Sequence, residues 1–328
     1  MKVNRPKTFA EFQGKANLET VKRLRIAVSA AKKRGEPLGH VMLYGNAGTG
    51  KSSLAYILAN EMGSELKTIT GGTVRSHKDL WCILFDIHQK QQRGSNKMLF
   101  VDEVHCLAKG DIPEEVYYGV LEDFKFFHNL GGSEVKVGSS VFEVTGNVSI
   151  LEPFTIIGAT TAPGYLSKPL RDRFRISCFL KEYSEEDIRA VVKRYADAEK
   201  IPCEEDALAE IAKRARGNPR VSVNFLLGCY DLMTSRNAEK ITKDIVFEEM
   251  ALQHIDSEGL TDADLRVLKT LAEHEKGLGL RNLAGCANIH SSTIEELIEP
   301  FLKLRGYMEV RHKRFITERG LKKLKGLA

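Results

Sequence analysis

At 328 residues the chain exceeds what one ordinary hydrophobic core supports, so two or three domains are expected. Hydrophobic residues at 42% and charged residues at 28% are the composition of a water-soluble globular protein, and no apolar run approaches the roughly 18 residues of a membrane span. The net charge of +5 is modest but uneven: residues 301–328 hold nine Lys/Arg against two acidic residues, which points to a basic C-terminal face. The opening MKVNRPKTFAEF lacks the apolar stretch of a signal peptide, so a cytoplasmic location is expected. Six scattered cysteines, with no C-x-x-C and no Cys/His cluster at zinc spacing, read as reduced thiols, and His105 beside Cys106 reads as packing.

In chain order, an amphipathic segment over Leu18–Lys33 with apolar Val21, Leu24, Ile26 and Val28 predicts a helix laid over the edge of the first domain. Next comes HVMLYGNAGTGKSS, His40 to Ser53. The apolar run Val41–Tyr44 meets a glycine-rich turn, and SLAYILANEM after it reads as a helix, the strand–loop–helix setting of a P-loop G-x-x-x-x-G-K-[ST]. Gly45, Asn46, Ala47, Gly48, Thr49 and Gly50 supply the backbone cradle for the phosphates of ATP. Lys51 would reach the β/γ-phosphates and Ser52, followed by Ser53, would hold Mg²⁺ through its hydroxyl.

A second strand is expected at Leu66–Ile69, a helix at Lys78–Gln91 and a polar turn at Arg93–Asn96. KMLFVDEVH follows: Met98–Val101 form a buried parallel strand that delivers Asp102 and Glu103 to its C-terminal end, where ligands bind in open α/β sheets. Asp102 is the expected Mg²⁺-shell carboxylate and Glu103 the group that orients and polarises the attacking water. This strand and the P-loop strand are expected to be sheet neighbours. Residues 113–129 read as a helix, and Gly131–Asn147 as an inserted β-hairpin turning at Gly138-Ser139-Ser140, either packed on its own domain or docking a partner. PFTIIGATT (Pro153–Thr161) is a further buried strand; KPLRDRF (Lys168–Phe174) and a short strand (Arg175–Leu180) close the domain. Either arginine flanking Asp172 is placed to project towards a neighbouring subunit's γ-phosphate, or both serve a surface ion pair.

From Tyr183 the pattern becomes helical. Ser184-Glu185-Glu186-Asp187 caps a first helix; others follow at Ala207–Ala215, from Gly217-Asn218-Pro219-Arg220 to Met233, and at Thr242–Leu252. Such a lid brings Arg220 back to the nucleotide. The remainder reads as three helices (Asp262–Glu275, Leu280–Ala287, Ser291–Leu304) and two strands (Tyr307–Val310, Phe315–Thr317), a winged helix. Its third helix carries Glu295, Glu296 and Glu299, so the wing tip, with Arg311, Lys313 and Arg314, is the expected DNA contact.

With these motifs in place the chain resembles the RuvB family of AAA+ Holliday-junction branch-migration ATPases. The resemblance runs from RPKTFAEFQG to FITERG and includes VDEVH, PFTIIGATT, PLRDRF, RARGNPR and TIEELIEPFL. It implies an α/β AAA+ P-loop domain at 1–180, a helical lid at 181–254 and a winged-helix domain at 255–328. It also implies that Thr161 watches the γ-phosphate and that Arg173, with Arg171 close behind, is an arginine finger acting in trans. By the same resemblance Arg220, after Pro219, is the lid arginine, and Tyr183 packs on the adenine with the Phe12 region. The implied cofactors are ATP and Mg²⁺. The implied partners are double-stranded DNA and four-way junctions, further copies of the chain in a hexameric ring, and a RuvA-like protein on the 131–147 hairpin; no membrane is implied. The P-loop lacks the family's usual proline pair and its threonine after the lysine, and the hairpin is longer than, and unlike, the usual one. The same architecture also describes replication initiators and clamp-loader-like subunits, in which nucleotide acts as a switch.

Overall fold

The structure is a computed structural model describing residues 4–92, 96–109, 112–137 and 140–326. Its contacts divide the chain into two compact units: residues up to Arg194 with Asn218–Arg220, and Tyr195–Gly217 with the chain from Val221 onward.

The first unit is built on a parallel sheet. Strands β1 (Val41–Tyr44), β2 (Glu65–Thr70), β3 (Lys97–Asp102), β8 (Thr155–Thr160) and β9 (Ile176–Phe179) lie in the order β2-β3-β8-β1-β9. The central strand β8 is buried at all six positions, and Met98–Val101 of β3 are buried too. Unbroken apolar strands of this kind need cover on both faces. Helices α1 (Leu18–Arg34) and α2 (Lys51–Met62) supply Val21, Leu24, Leu54 and Leu58 to one core. Helices α3 (His77–Gln92) and α4 (Glu114–Glu122) supply Trp81, Leu84, Val120 and Leu121 to the other. Ile26, counted with the apolar stripe of α1, instead points to solvent at 70% exposure.

Two expectations are corrected. The P-loop strand and the strand bearing Asp102 are not sheet neighbours, because β8 lies between them and pairs with both: Gly158 is opposite Met42 on one side and Val101 on the other. Sequence proximity favours adjacency only as a tendency, and the chain returns to the middle of the sheet after its excursion. The helix expected over 113–129 stops at Glu122. The chain turns at Phe124, whose φ of 54° breaks the helix, and enters β4 (Lys125–Phe127).

Beyond that point stands a two-tier ribbon. Strand β4 pairs antiparallel with β7 (Val148–Ile150), and above them β5 (Glu134–Val137) pairs with β6 (Ser140–Glu143). The expected hairpin is therefore present, with Ser140 already in the returning strand; Gly138 and Ser139 of its turn lie outside the described residues, as do residues 93–95 of the predicted polar turn. The ribbon packs on its own domain: Val135 and Val144 are buried, and Phe142 meets Phe85 edge-on at 4.7 Å, which in turn stacks on Trp81 at 4.3 Å. Its lower tier keeps Phe127, Val148 and Ile150 exposed.

Beyond a short helix α5 (Lys168–Asp172) ahead of β9, helices α6 (Glu185–Glu199), α7 (Glu205–Arg214), α8 (Pro219–Ser235) and α9 (Lys243–Leu252) form where the helical pattern begins at Ser184, whose Oγ accepts the Asp187 N–H at 3.1 Å. The winged helix follows: α10 (Asp262–Ala272) opens on a Thr261/Asp264 capping box, and α11 (Leu280–Ala287) ends on Asn288 in the left-handed region. The third helix is not continuous. A turn of α-helix (α12, Ser291–Thr293) passes through a π segment at Ile294–Ile298 before α13 (Glu299–Leu304). Pro300 has no N–H for the preceding turn, which is the physical reason for the change of register. Strands β10 (Met308–Val310) and β11 (Arg314–Ile316) make the wing, and α14 (Glu318–Leu324), absent from the sequence expectation, closes the chain.

Candidate nucleotide site and wing

The site of the first unit assembles from the C-terminal ends of three adjacent strands, β1, β8 and β3. After β1 the loop Gly45–Gly50 turns through three glycines with positive φ: 144° at Gly45, 79° at Gly48 and 98° at Gly50. At Gly45 and Gly48 a side chain would also strike the Leu180 carbonyl or the Asn218 amide, so torsion and space both require glycine there, while at Gly50 the torsion demands it and the Phe12 ring leaves little room. Lys51 opens α2 and is 7% exposed; its Nζ donates to the carbonyls of Gly45 at 2.7 Å and Asn46 at 2.8 Å. Burial pulls its ammonium below the usual lysine range; Glu103 and Asp102 oppose that shift, and Arg220 adds to it. Glu103, Asp102 and Arg220 are thus all within electrostatic reach of Lys51. Tyr183, buried and with its phenol pushed up by that burial, donates to the Thr49 carbonyl at 3.2 Å and stands with Phe12 against Gly50.

Asp102 ends β3 and accepts the Glu103 N–H at 3.1 Å through Oδ1. Glu103 itself is left-handed, with φ 49°, a conformation uncommon outside glycine and concentrated at functional positions. Its Oε2 lies 3.2 Å from His105 Nδ1 and 3.5 Å from Thr161 Oγ1. Thr160, fully buried, places Oγ1 2.9 Å from the same His105 nitrogen and accepts the Ala162 N–H at 2.9 Å. The end of β8 therefore meets the Glu103 carboxylate directly through Thr161 and indirectly through Thr160 and His105, both at Oε2. Ser52, in the first turn of α2, and Asp102 are hard oxygen donors, the set that Mg²⁺ takes while keeping water and phosphate oxygens as its other ligands; the residues fit that ion.

Arg220 follows Pro219 at the start of α8, its N–H donating to Asn218 Oδ1 at 2.9 Å, while Asn218 Nδ2 donates to the Ala47 carbonyl of the P-loop at 2.8 Å. Sequence reasoning passed over Asn218; only its place in GNPR signalled it. Arg173 is held within its own domain: Nη2 pairs with Glu122 at 3.0 Å, Nη1 donates to the Pro169 carbonyl at 2.9 Å, and the guanidinium lies 4.0 Å over the Tyr118 ring. Arg171 donates through Nη1 to the Pro163 carbonyl at 3.2 Å.

On the wing, Arg311 is exposed beside Glu309 and Lys313 reaches the Lys276 carbonyl at 3.3 Å. Arg314, expected with them at the tip, is instead largely buried, its Nε 2.9 Å from Glu299. Glu299 faces inward from α13 and needs a counter-charge, and Arg314 is the cation that meets it.

Three family models tile this chain. Residues 4–180 match the Holliday junction DNA helicase RuvB P-loop domain, 183–256 the RuvB AAA lid domain and 257–325 the RuvB C-terminal winged helix domain. The chain belongs to the RuvB family. The Holliday junction branch migration complex subunit RuvB of Thermotoga maritima is 36% identical over 324 residues, covering 98% of this chain and 92% of that protein. The subunit of the same name from Fervidobacterium nodosum is 36% identical over 306 residues, 93% and 83% of the two chains. A solved structure of the Thermotoga maritima RuvB branch migration motor aligns with a TM-score of 0.81 at 35% identity, covering 98% of both chains. The ORC2 protein of Aeropyrum pernix, at a TM-score of 0.61 and 12% identity, shares the fold alone. As a RuvB-family P-loop AAA+ protein, this chain is a nucleotide-using ATPase. Among the described residues no helix is long and apolar enough to cross a membrane.

Proposed function

We propose that this chain is a DNA motor that uses ATP hydrolysis to drive branch migration of Holliday junctions, working in the cytoplasm as a hexameric ring. The division into 1–180, 181–254 and 255–328 assigns fuel, lid and DNA contact to successive parts of the chain. The single observation that carries the reading is the join of full-length RuvB similarity with Lys51 beyond β1 and Asp102 and Glu103 at the end of β3, on either side of β8 along one edge of the sheet.

In this reading the loop Gly45–Gly50 cradles the phosphates of ATP through its backbone N–H groups, and Lys51 leaves its loop carbonyls for the β/γ-phosphates. Ser52 and Asp102 would hold Mg²⁺, which when bound neutralises phosphate charge. Glu103 orients a water and accepts its proton as the γ-phosphoryl group leaves. Thr161, at the end of β8, senses that group beside Glu103. Arg220 contributes charge from the lid, Tyr183 and Phe12 bound the adenine pocket, and Arg173 exchanges Glu122 for a neighbour's phosphate. Arg311 and Lys313 contact duplex DNA, and a RuvA-like protein docks on the ribbon, whose exposed Phe127, Val148 and Ile150 offer an apolar face.

The test is a synthetic four-way junction incubated with the protein, ATP and Mg²⁺, with and without a RuvA-like partner. Dissociation into two-armed products that requires ATP is the expected result. ATP turnover without dissociation under either condition overturns the motor reading and favours a nucleotide switch.

A further inference from the structure

We propose that His105 is a positioning residue for Glu103: its Nδ1–H, anchored between the end of β8 and the carboxylate, fixes which Glu103 oxygen faces the attacking water. The inference rests on the ATPase reading of this site.

Three observations carry it. First, His105 Nδ1 stands 3.2 Å from Glu103 Oε2 and 2.9 Å from Thr160 Oγ1, so one ring nitrogen touches both the carboxylate and the buried strand end. Second, the Thr161 hydroxyl also reaches Oε2, at 3.5 Å, so both contacts fall on the same oxygen and Oε1 is the one left to accept from water. Third, the ring is fixed from its other sides. Tyr165 stacks on it at a centroid distance of 5.9 Å, and Cys106 Sγ lies 3.7 Å from Nε2.

The chemistry selects the proton's place. With the proton on Nε2, the Nδ1 lone pair would face a carboxylate oxygen at 3.2 Å, which is repulsive. With the proton on Nδ1 the N–H hydrogen-bonds Thr160 Oγ1 at 2.9 Å and turns its positive end towards Oε2 at 3.2 Å, an attractive electrostatic contact beside that bond. Glu103 needs such a hold because its backbone is strained, with φ 49°. A carboxylate on a left-handed residue at a strand end has several rotamers open to it, and general-base catalysis needs one. His105 therefore ties the carboxylate to β8, the strand whose end also carries Thr161. A change at Thr160-Thr161 would be felt by Glu103 through a single imidazole.

The test uses the full chain and four variants. Steady-state ATP turnover is measured alongside affinity for a fluorescent ATP analogue. His105→Ala is expected to lower kcat by about 10²-fold with nucleotide affinity unchanged, the scale of loss when a catalytic group is misplaced by about 1 Å. His105→Asn, whose side-chain amide nitrogen takes the place of Nδ1, is expected to recover most of that loss, whereas His105→Gln, which places its donor at the Nε2 position, is not. Combined with Glu103→Gln, His105→Ala should cost nothing further, because its effect acts through that carboxylate. Equal turnover in wild type and His105→Ala overturns the inference, as does an additive loss in the double variant, which would mark a merely structural histidine. Absence of turnover in the wild type would instead defeat the ATPase reading beneath it.

Discussion

Among single residues, Arg173 states the reading most sharply. Its guanidinium is engaged by Glu122, the Pro169 carbonyl and the Tyr118 ring, all within its own domain. An arginine that completes a neighbour's site contributes about 10³–10⁵ in rate in related GTPases. Arg173→Ala should therefore lose turnover while binding ATP normally, and mixing it with Lys51→Ala subunits should restore part of the activity. If the mixture is as inactive as either variant alone, the trans role is wrong. Two buried titrating groups predict the acid behaviour. Burial lowers the His40 imidazole to about 4, where it accepts the Ile156 N–H at 2.9 Å. For Asp86, burial would raise the carboxyl, but hydrogen bonds and charge from Lys67 and Lys97 bring it down to about 2. A histidine depressed in the fold binds its proton more readily when unfolded, so stability falls as pH drops from about 6.5 to about 4. The lowered Asp86 is stabilising above its unfolded value near 3.8 and loses that contribution as pH falls towards 2. Urea unfolding of the first unit followed by Trp81 fluorescence between pH 7 and pH 5 should show the first loss, and His40→Gln should flatten it.

At the level of elements, the second unit turns on Arg216. It sits at φ 58° beyond the end of α7, donates to Asp264 Oδ1 at 2.9 Å and to the Leu297 carbonyl of the π segment at 3.2 Å, and lies 4.0 Å over Phe301. Asp264 is fully buried, and its other oxygen already caps α10. Arg216→Ala would leave a buried carboxylate without its counter-charge, at a cost of about 3 kcal/mol. Amide hydrogen exchange in the first turn of α10 should accelerate accordingly, and unchanged protection there would show that the pair contributes little. The next residue in the chain is Gly217 and the one after it Asn218, on the P-loop carbonyl of Ala47.

For the whole molecule, the proposed DNA contact at the wing predicts how binding responds to salt. Affinity for duplex should fall by orders of magnitude between about 50 and 200 mM salt, with no preference for sequence, because phosphate contacts release counterions. Replacing Arg311 and Lys313 together by alanine should reduce the slope of log affinity against log salt by about two. Arg314→Ala should leave that slope unchanged and instead loosen the wing, since its partner is Glu299. An equal fall in slope for all three would return Arg314 to the DNA contact.

The P-loop, the Asp102-Glu103 pair, the helical lid and the winged helix are legible in the amino-acid sequence because each is a local pattern. A glycine turn between strand and helix, an apolar run ending in acids, and amphipathic periods need no knowledge of distant residues. Tertiary structure decided what depends on partners far along the chain. It inserted β8 between β1 and β3, ended a helix at Glu122 to build a second tier of ribbon, and turned Ile26 outward. It drew Arg314 onto Glu299, 15 residues away, and brought His105 and Thr161 to one carboxylate oxygen, with Thr160 on the His105 ring. The physical reason is the same in each case. Pattern and propensity act over a turn or a strand, whereas pairing a buried charge or seating a strand is settled only when the core closes around it.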